Sequence, residues 1–92
     1  VRALEGIELD YEKINQMCPK CQRKMEVDYP FRIMGWRFIS LGTCSKCNSR
    51  ILDELIVKKS LCGEEIYKEV ATVIDEYDYL RYENKLKNKI YN

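Results

Sequence analysis

Short segments of alternating apolar and polar residues dominate the middle of the chain. Residues 27–33 and 36–41 each alternate over part of their length, as half-buried strands do, and the apolar-rich run 51–57 can add a third strand. Gly35 separates the first two runs and suits a tight turn, so they are expected to pair as an antiparallel hairpin turning near Met34 and Gly35. Pro30 cannot donate to a sheet ladder and is expected on an edge or at a bulge. The pattern predicts a three-stranded antiparallel sheet.

The apolar period lengthens after Gly63. Apolar side chains then recur at spacings of four and three, as on one face of an amphipathic helix. The residues of this face are Ile66, Val70, Val73, Tyr77 and Leu80. Ser60 or Gly63 would cap the helix at its start. We therefore expect a long C-terminal amphipathic helix whose apolar face packs on the chain's own sheet, pairs with a second chain to form a homodimer, or contacts a different partner protein.

The remaining N-terminal residues alternate only loosely. They are interpreted as an arm or short strand over residues 1–16, followed by the sheet over residues 17–59 and the helix over residues 60–92. Together these segments predict one compact domain of the small α+β class. A folded chain of 92 residues buries only about 60% of the surface that its unfolded form exposes. A bound metal ion or a partner chain would therefore help it to fold.

Two Cys-x-x-Cys pairs are the strongest chemical signal. Cys18 and Cys21 are separated by 22 residues from Cys44 and Cys47. Each such turn presents two sulfurs to one ion, and two turns complete a tetrahedron, so the spacing predicts one structural Zn²⁺ per chain. Residues 18–25 and 44–51 also match outside the cysteines, as in a duplicated knuckle. In these two segments Met25 and Ile51 occupy equivalent positions, where they would cover the metal from opposite sides.

Other roles for the cysteines fit the sequence less well. Redox Cys-x-x-Cys motifs usually occur once, in a βαβ pattern that this sequence lacks. A catalytic zinc needs an open position and usually a histidine or carboxylate ligand, and the chain contains no histidine. We therefore expect no enzymatic activity. The fifth cysteine, Cys62, is interpreted as a small core residue, with a role near the metal or in an intermolecular disulfide as alternatives.

The paired knuckles and the predicted sheet resemble the zinc-ribbon superfamily over about residues 17–57. Cys18, Cys21, Cys44 and Cys47 match the ligands of that family one for one. Family knuckles often have glycine, at a positive φ, directly after the second cysteine of a pair. This chain has Gln22 and Asn48 at those two positions, so the first knuckle is expected to be mildly strained. The resemblance implies a binding module of the kind found in transcription factors and RNA polymerase subunits.

Charge is segregated along the chain although the formal net charge is only +1. Residues 13–50 carry eight basic and two acidic side chains, whereas residues 64–80 carry one basic and six acidic ones. The basic side chains predicted to contact nucleic acid or a partner are Lys20, Arg23, Lys24, Arg32, Arg37, Lys46 and Arg50. Nearby aromatic side chains would either stack on bases or form the core. They are Tyr29, Phe31, Trp36 and Phe38.

Two functions follow from these patterns. The first is a transcription-associated regulator that contacts nucleic acid or the RNA polymerase machinery through the basic ribbon face. The second is a protein-binding inhibitor or adaptor that uses the C-terminal helix and an apolar ribbon face. No signal peptide or membrane-spanning stretch is evident in the sequence, and we expect a cytoplasmic protein, or a nuclear one if it is eukaryotic, with no membrane partner.

Overall fold

The computed structural model describes residues 7–88. Four strands form one antiparallel sheet in the order in which they follow along the chain. They are β1 (Glu26–Met34), β2 (Arg37–Thr43), β3 (Arg50–Lys59) and β4 (Glu65–Ile74). A short 3₁₀ helix (Tyr11–Lys13) precedes the sheet, and one α-helix, α1 (Glu76–Asn88), follows it. The fold is thus α+β, with one strand more than predicted.

The first three strands lie where the alternating pattern predicts them. Gly35, with a φ of 70°, makes the turn between β1 and β2. Pro30 lies on β1, which is an edge strand, and the pairing of β1 with β2 shifts register twice, once before and once after Tyr29. Proline is tolerated there because an edge strand needs only half of its backbone groups for the ladder.

The prediction of a helix from about residue 63 is wrong for residues 65–74, which form β4. Ten residues of β4 pair with β3 in an uninterrupted register from Glu65 to Ile74. A spacing of four keeps Ile66 and Val70 on one side of a helix, but four is also a multiple of two, so it keeps them on one side of a strand as well. The β-branched side chains of this segment favour the strand.

The helix begins only after β4. The Asp75 side chain accepts a hydrogen bond from the N–H of Asp78 at 2.8 Å and so caps the first turn. Tyr79 and Leu86 are the buried residues of α1, and they pack on one face of the sheet against a cluster that includes Ile39, Leu41 and Leu52. The helix covers this face over the first three strands.

The N-terminal arm lies on the opposite face of the sheet. Ile14 is buried there against Phe38, Leu55 and Val57. The N–H of Asp10 donates to the Tyr67 hydroxyl at 2.8 Å, which ties the arm to β4. Residues 7–16 therefore lie against the sheet, and the first six residues of the predicted arm or short strand lie outside the described part. No helix among the described residues is long and apolar enough to cross a membrane.

Candidate metal centre

The fold brings the four cysteines of the two Cys-x-x-Cys pairs to one end of the sheet. The first pair precedes β1, and the second lies in the connection between β2 and β3. All four Sγ atoms lie within 4.8 Å of one another, and the Sγ atoms of Cys18 and Cys47 are 3.8 Å apart. Tetrahedral bonds of about 2.3 Å to one zinc ion would place sulfurs about 3.8 Å apart. The cluster therefore has the donor set and the spacing to hold a metal ion.

Each knuckle is closed by the same pair of backbone hydrogen bonds. In the first, the Gln22 N–H donates to the Cys18 carbonyl at 2.9 Å, and the Cys18 N–H donates to the Arg23 carbonyl at 2.8 Å. In the second, the Asn48 N–H donates to the Cys44 carbonyl at 2.8 Å, and the Cys44 N–H donates to the Ser49 carbonyl at 2.9 Å. The duplication seen in the sequence is thus a duplication of backbone geometry.

The residue after each pair adopts the left-handed conformation that the resemblance implies. Gln22 and Asn48 both have a φ of 59°. Asparagine reaches this region more readily than glutamine, so the first knuckle stores more backbone strain than the second. A positive φ at these residues turns the chain back, so that the next carbonyl, of Arg23 or Ser49, accepts the N–H of the first cysteine of the pair.

Apolar side chains enclose the sulfurs on the side of the sheet. Met25 and Ile51 are buried and pack with Cys18 and Cys44, and Ala71 of β4 adds to the same cluster. The two equivalent positions of the repeat therefore both pack against cysteines of the site. Excluding water in this way strengthens the electrostatic attraction between thiolates and a cation.

Gly42 of β2 leaves room for Met25 to pack over the sulfurs. A Cβ atom at this position would lie 2.6 Å from the Glu26 carbonyl oxygen and 2.8 Å from Met25 Sδ. Both distances are shorter than van der Waals contact. Only glycine fits beneath Met25 with this backbone, and nothing in the alternating pattern of β2 indicated it.

Hydrogen bonds and burial shift the pKa values of Cys21, Cys44 and Cys47. The side-chain hydrogen bond with Cys47, reinforced by burial, raises the pKa of Cys21 to about 12. Hydrogen bonds from the Ser49 side chain and backbone lower the pKa of Cys47 to about 6. The backbone N–H of Cys47 lowers the pKa of Cys44. A bound cation would draw all four cysteines to the thiolate form.

The predicted basic side chains fall into two groups. Arg37 is paired with Glu54 at 2.7 Å, and Arg50 bonds Glu76 at 3.0 Å, so these two stabilise the fold. The other five are exposed and form no salt bridge with any residue in the range 7–88: Lys20, Arg23, Lys24, Arg32 and Lys46. Four of these five lie in the knuckles, beside the metal centre.

Most of the predicted aromatic side chains belong to the core. Phe38 is buried, Tyr29 packs under α1, and Phe31 packs against the cluster around Ile14. Trp36 alone of the four is exposed, and it lies in the β1–β2 turn, at the end of the sheet away from the knuckles. These four side chains therefore do not form an aromatic surface beside the knuckle cations.

The predicted helix interface is not one surface. Ile66, Val70 and Val73 lie on β4, whereas Tyr77 and Leu80 lie on α1. Within β4, Val73 is partly buried, while Ile66 and Val70 are exposed on the opposite face of the sheet. Tyr77 and Leu80 are exposed on the helix. The interpretation of Cys62 as a core residue is also wrong, because its thiol is exposed in the β3–β4 turn.

A buried aspartate beside a partly buried glutamate was not predicted from the sequence. Asp53 is fully buried, and neither of its oxygens meets a hydrogen-bond donor among the described residues. Burial and the neighbouring Glu69 side chain raise the pKa of Asp53 to about 9. Glu69 accepts the N–H groups of Asn15 and Gln16 at 2.8 and 2.9 Å. These pKa shifts favour a protonated Asp53 beside an ionised Glu69, with Asp53 as the donor between the two carboxyl groups. The available signal was an acidic residue among Ile51, Leu55 and Val57, which lie on the same face of β3.

The chain was compared with family models, with curated protein sequences and with solved structures, and none of the three comparisons gives a match.

Proposed function

We propose that the chain is a non-enzymatic zinc-binding module of the zinc-ribbon type that binds the phosphate backbone of nucleic acid through its two knuckles. The observation that carries the proposal is the convergence of four cysteine sulfurs beside four exposed cations that form no salt bridge within residues 7–88. The metal would fix the two knuckles relative to each other, and the knuckles would then present their cations in one arrangement.

Zinc is the metal that best suits these donors. Four thiolates form a soft, negatively charged set, which favours zinc over the oxygen-seeking cations magnesium and calcium. Four protein ligands also complete a tetrahedron and leave no position for a substrate or an activated water. This supports a structural rather than a catalytic ion.

The charges near the metal favour an anionic partner. Lys20, Arg23 and Lys24 lie in the first knuckle and Lys46 in the second. Neither knuckle contains an acidic residue between residues 17 and 25 or between 44 and 50. Four thiolates with Zn²⁺ would add about two negative charges, and the four exposed knuckle cations exceed them by about two. Cations held on a short, hydrogen-bonded turn lose little entropy on contacting phosphates.

The association with transcription rests on the resemblance of the paired knuckles to zinc ribbons. A protein-binding inhibitor or adaptor is the second candidate. The exposure of Tyr77 and Leu80 on the outer side of α1 favours it, because exposed apolar side chains on a helix suit a protein partner.

The dependence of binding on salt tests the proposal. Binding of a mixed-sequence RNA or DNA oligonucleotide would be measured over a salt series for the parent and for a variant with Lys20, Arg23 and Lys46 changed to Gln. Lys24 stays, because its charge also acts on Glu69. A control variant would carry Gln at three exposed lysines away from the knuckles, Lys58, Lys59 and Lys68.

We expect the knuckle variant to bind more weakly, with a salt slope reduced by about 0.7–0.9 for each phosphate that the substituted side chains no longer neutralise. The control variant should keep most of the parent affinity. If the parent binds neither RNA nor DNA, or if the two variants bind equally weakly, the knuckles are not a nucleic-acid surface. The adaptor function, centred on the helix, would then be the better account.

A further inference from the structure

The two edges of the sheet differ in how well they are protected against pairing with another strand. On β1, Pro30 removes a backbone donor and two register shifts disturb the ladder. Proline and bulges are the usual devices that prevent edge-to-edge association. On β4 neither device is present, and its register with β3 is regular over ten residues. The sheet is therefore protected at one edge and open at the other.

The pairing of β3 with β4 determines which backbone groups of β4 point outwards. The Ser60 N–H donates to the Glu64 carbonyl at 2.8 Å, and this pair continues the register of the hairpin. In an antiparallel ladder every second residue bonds the same neighbour. Even-numbered residues of β4 therefore bond β3. The N–H and C=O groups of Tyr67, Glu69, Ala71 and Val73 point away from it, and none of them bonds to another backbone group within residues 7–88.

Apolar side chains also stand exposed along this edge. On the face of the sheet that carries α1, Ile66 is 54% exposed and Val70 is 44% exposed. The helix lies over the first three strands and leaves this part of β4 uncovered. An open edge with exposed β-branched residues combines backbone hydrogen-bonding capacity with apolar area.

We propose that β4 pairs antiparallel with β4 of a second copy of this chain, with Val70 on the two-fold axis. The result is a continuous sheet of eight strands. The partner is identified by the self-complementarity of the strand, because a two-fold pairing places each residue of β4 opposite another residue of the same strand.

Charge selects the register. Residues that lie directly opposite each other in the two copies must point to the same side of the sheet. The two-fold axis therefore lies between the two copies of one residue. Only two positions of the axis, Glu69 and Val70, pair as many as nine residues of the ten-residue strand. An axis at Glu69 would place two carboxylates directly opposite each other, which is unfavourable. An axis at Val70 places valine against valine.

The remaining pairs of the Val70 register are compatible. Ile66 faces Ile74 of the second copy, and Lys68 faces Thr72. Like charges meet only beyond the last pair, where Glu65 would face Asp75, and this marks the end of the pairing. This homodimer uses the edge strand, whereas the sequence predicted one through the C-terminal helix.

Sedimentation of the full-length, zinc-loaded chain over a concentration series tests this proposal. We expect a monomer–dimer equilibrium for the parent. The variant Val70→Lys should raise the dimer dissociation constant at least about a hundredfold, because two ammonium groups would meet at the axis. Within one chain the new lysine would face Glu54 across the ladder, so the fold is retained. The matched control is Val27→Lys on β1, where the native valine is also 44% exposed. It should dimerise like the parent.

Cross-linking tests the register itself. In a Cys62→Ser background, Val70→Cys should form an intermolecular disulfide on mild oxidation, because non-hydrogen-bonded partners have Cα atoms about 4.5 Å apart. Thr72→Cys should not, since residue 72 faces residue 68. A parent that sediments as a monomer at every concentration overturns the proposal. So do Val70→Lys and Val27→Lys variants that dimerise alike, or a Thr72→Cys variant that cross-links as readily as Val70→Cys.

Discussion

The guanidinium carbon of Arg50 lies 4.2 Å from the centre of the Tyr79 ring, which joins the first residue of β3 to the C-terminal helix. Arg50 also makes two hydrogen bonds to Glu76 at the start of α1, at 3.0 and 3.2 Å. The Tyr79 hydroxyl in turn donates to Asp28 of β1 at 2.7 Å. Since Arg50 follows Cys47 by three residues, this network couples the position of the helix to the second knuckle.

We therefore expect Arg50→Ala to loosen α1. The substitution removes a cation–π contact and a two-pronged ion pair, and we expect a loss of about 1–3 kcal/mol in the free energy of unfolding. Amide hydrogen exchange should rise along the helix. The control is Arg37→Ala, which removes an ion pair with Glu54 that does not involve the helix. Equal exchange rates in α1 for both variants would contradict the coupling.

Gly42→Ala tests the packing over the metal centre. Its Cβ atom would clash with the Glu26 carbonyl and with Met25, and overpacking of this kind costs about 1–3 kcal/mol. Displacing Met25 would also expose the sulfurs, so we expect faster transfer of metal to a chelator. Gly35→Ala is the control, because it strains a positive φ but meets no atom within 4 Å. It should lower stability without changing the rate of metal release. Metal release at the parent rate from Gly42→Ala would contradict this account of Met25.

The Asp53 and Glu69 pair should make stability depend on pH. Burial and Glu69 raise the pKa of Asp53 from 3.8 to about 9. Burial works against the charged form of Glu69, but hydrogen bonds from Asp53 and from the N–H groups of Asn15 and Gln16 lower its pKa overall. Between about pH 4 and pH 9 the folded chain therefore holds a proton that the unfolded chain has released.

Stability should thus fall as pH rises through this range, by at most about 1.4 kcal/mol per pH unit. Asp53→Asn removes the titration and leaves an amide that can still donate to Glu69. The free energy of unfolding of Asp53→Asn, measured by denaturant titration at each pH, should increase relative to that of the parent as pH rises from 4 to 9. Glu54→Gln, the control, changes a neighbouring carboxylate on the other face of β3. A constant difference between Asp53→Asn and the parent across the range would show that Asp53 is ionised in the folded chain.

The sequence predicted the structure where the spacing of apolar residues suits a strand or a helix but not both. Strands β1 to β3 and the clustering of four cysteines could be predicted, because short β-rich runs bounded by turn residues and two identical Cys-x-x-Cys spacings each have one simple structural solution. Strand β4 could not, since Ile66, Val70 and Ile74 recur at a spacing that suits both a helix and a strand. Tertiary pairing with β3 decides between them. The ion pairs of Arg37 and Arg50 depend on which elements become neighbours, so only the structure could show them.

The metal content of three purified proteins tests the central claim most directly. Reduced parent protein, Cys44→Ser and Cys62→Ser would each be analysed for bound metal, with circular dichroism before and after chelation. The account predicts about one equivalent of zinc in the parent and in Cys62→Ser. It predicts much less zinc in Cys44→Ser, and unfolding of at least the knuckles when the parent is chelated. A parent that keeps its fold with far less than one equivalent of metal, or an equal depletion of zinc in both variants, would contradict it.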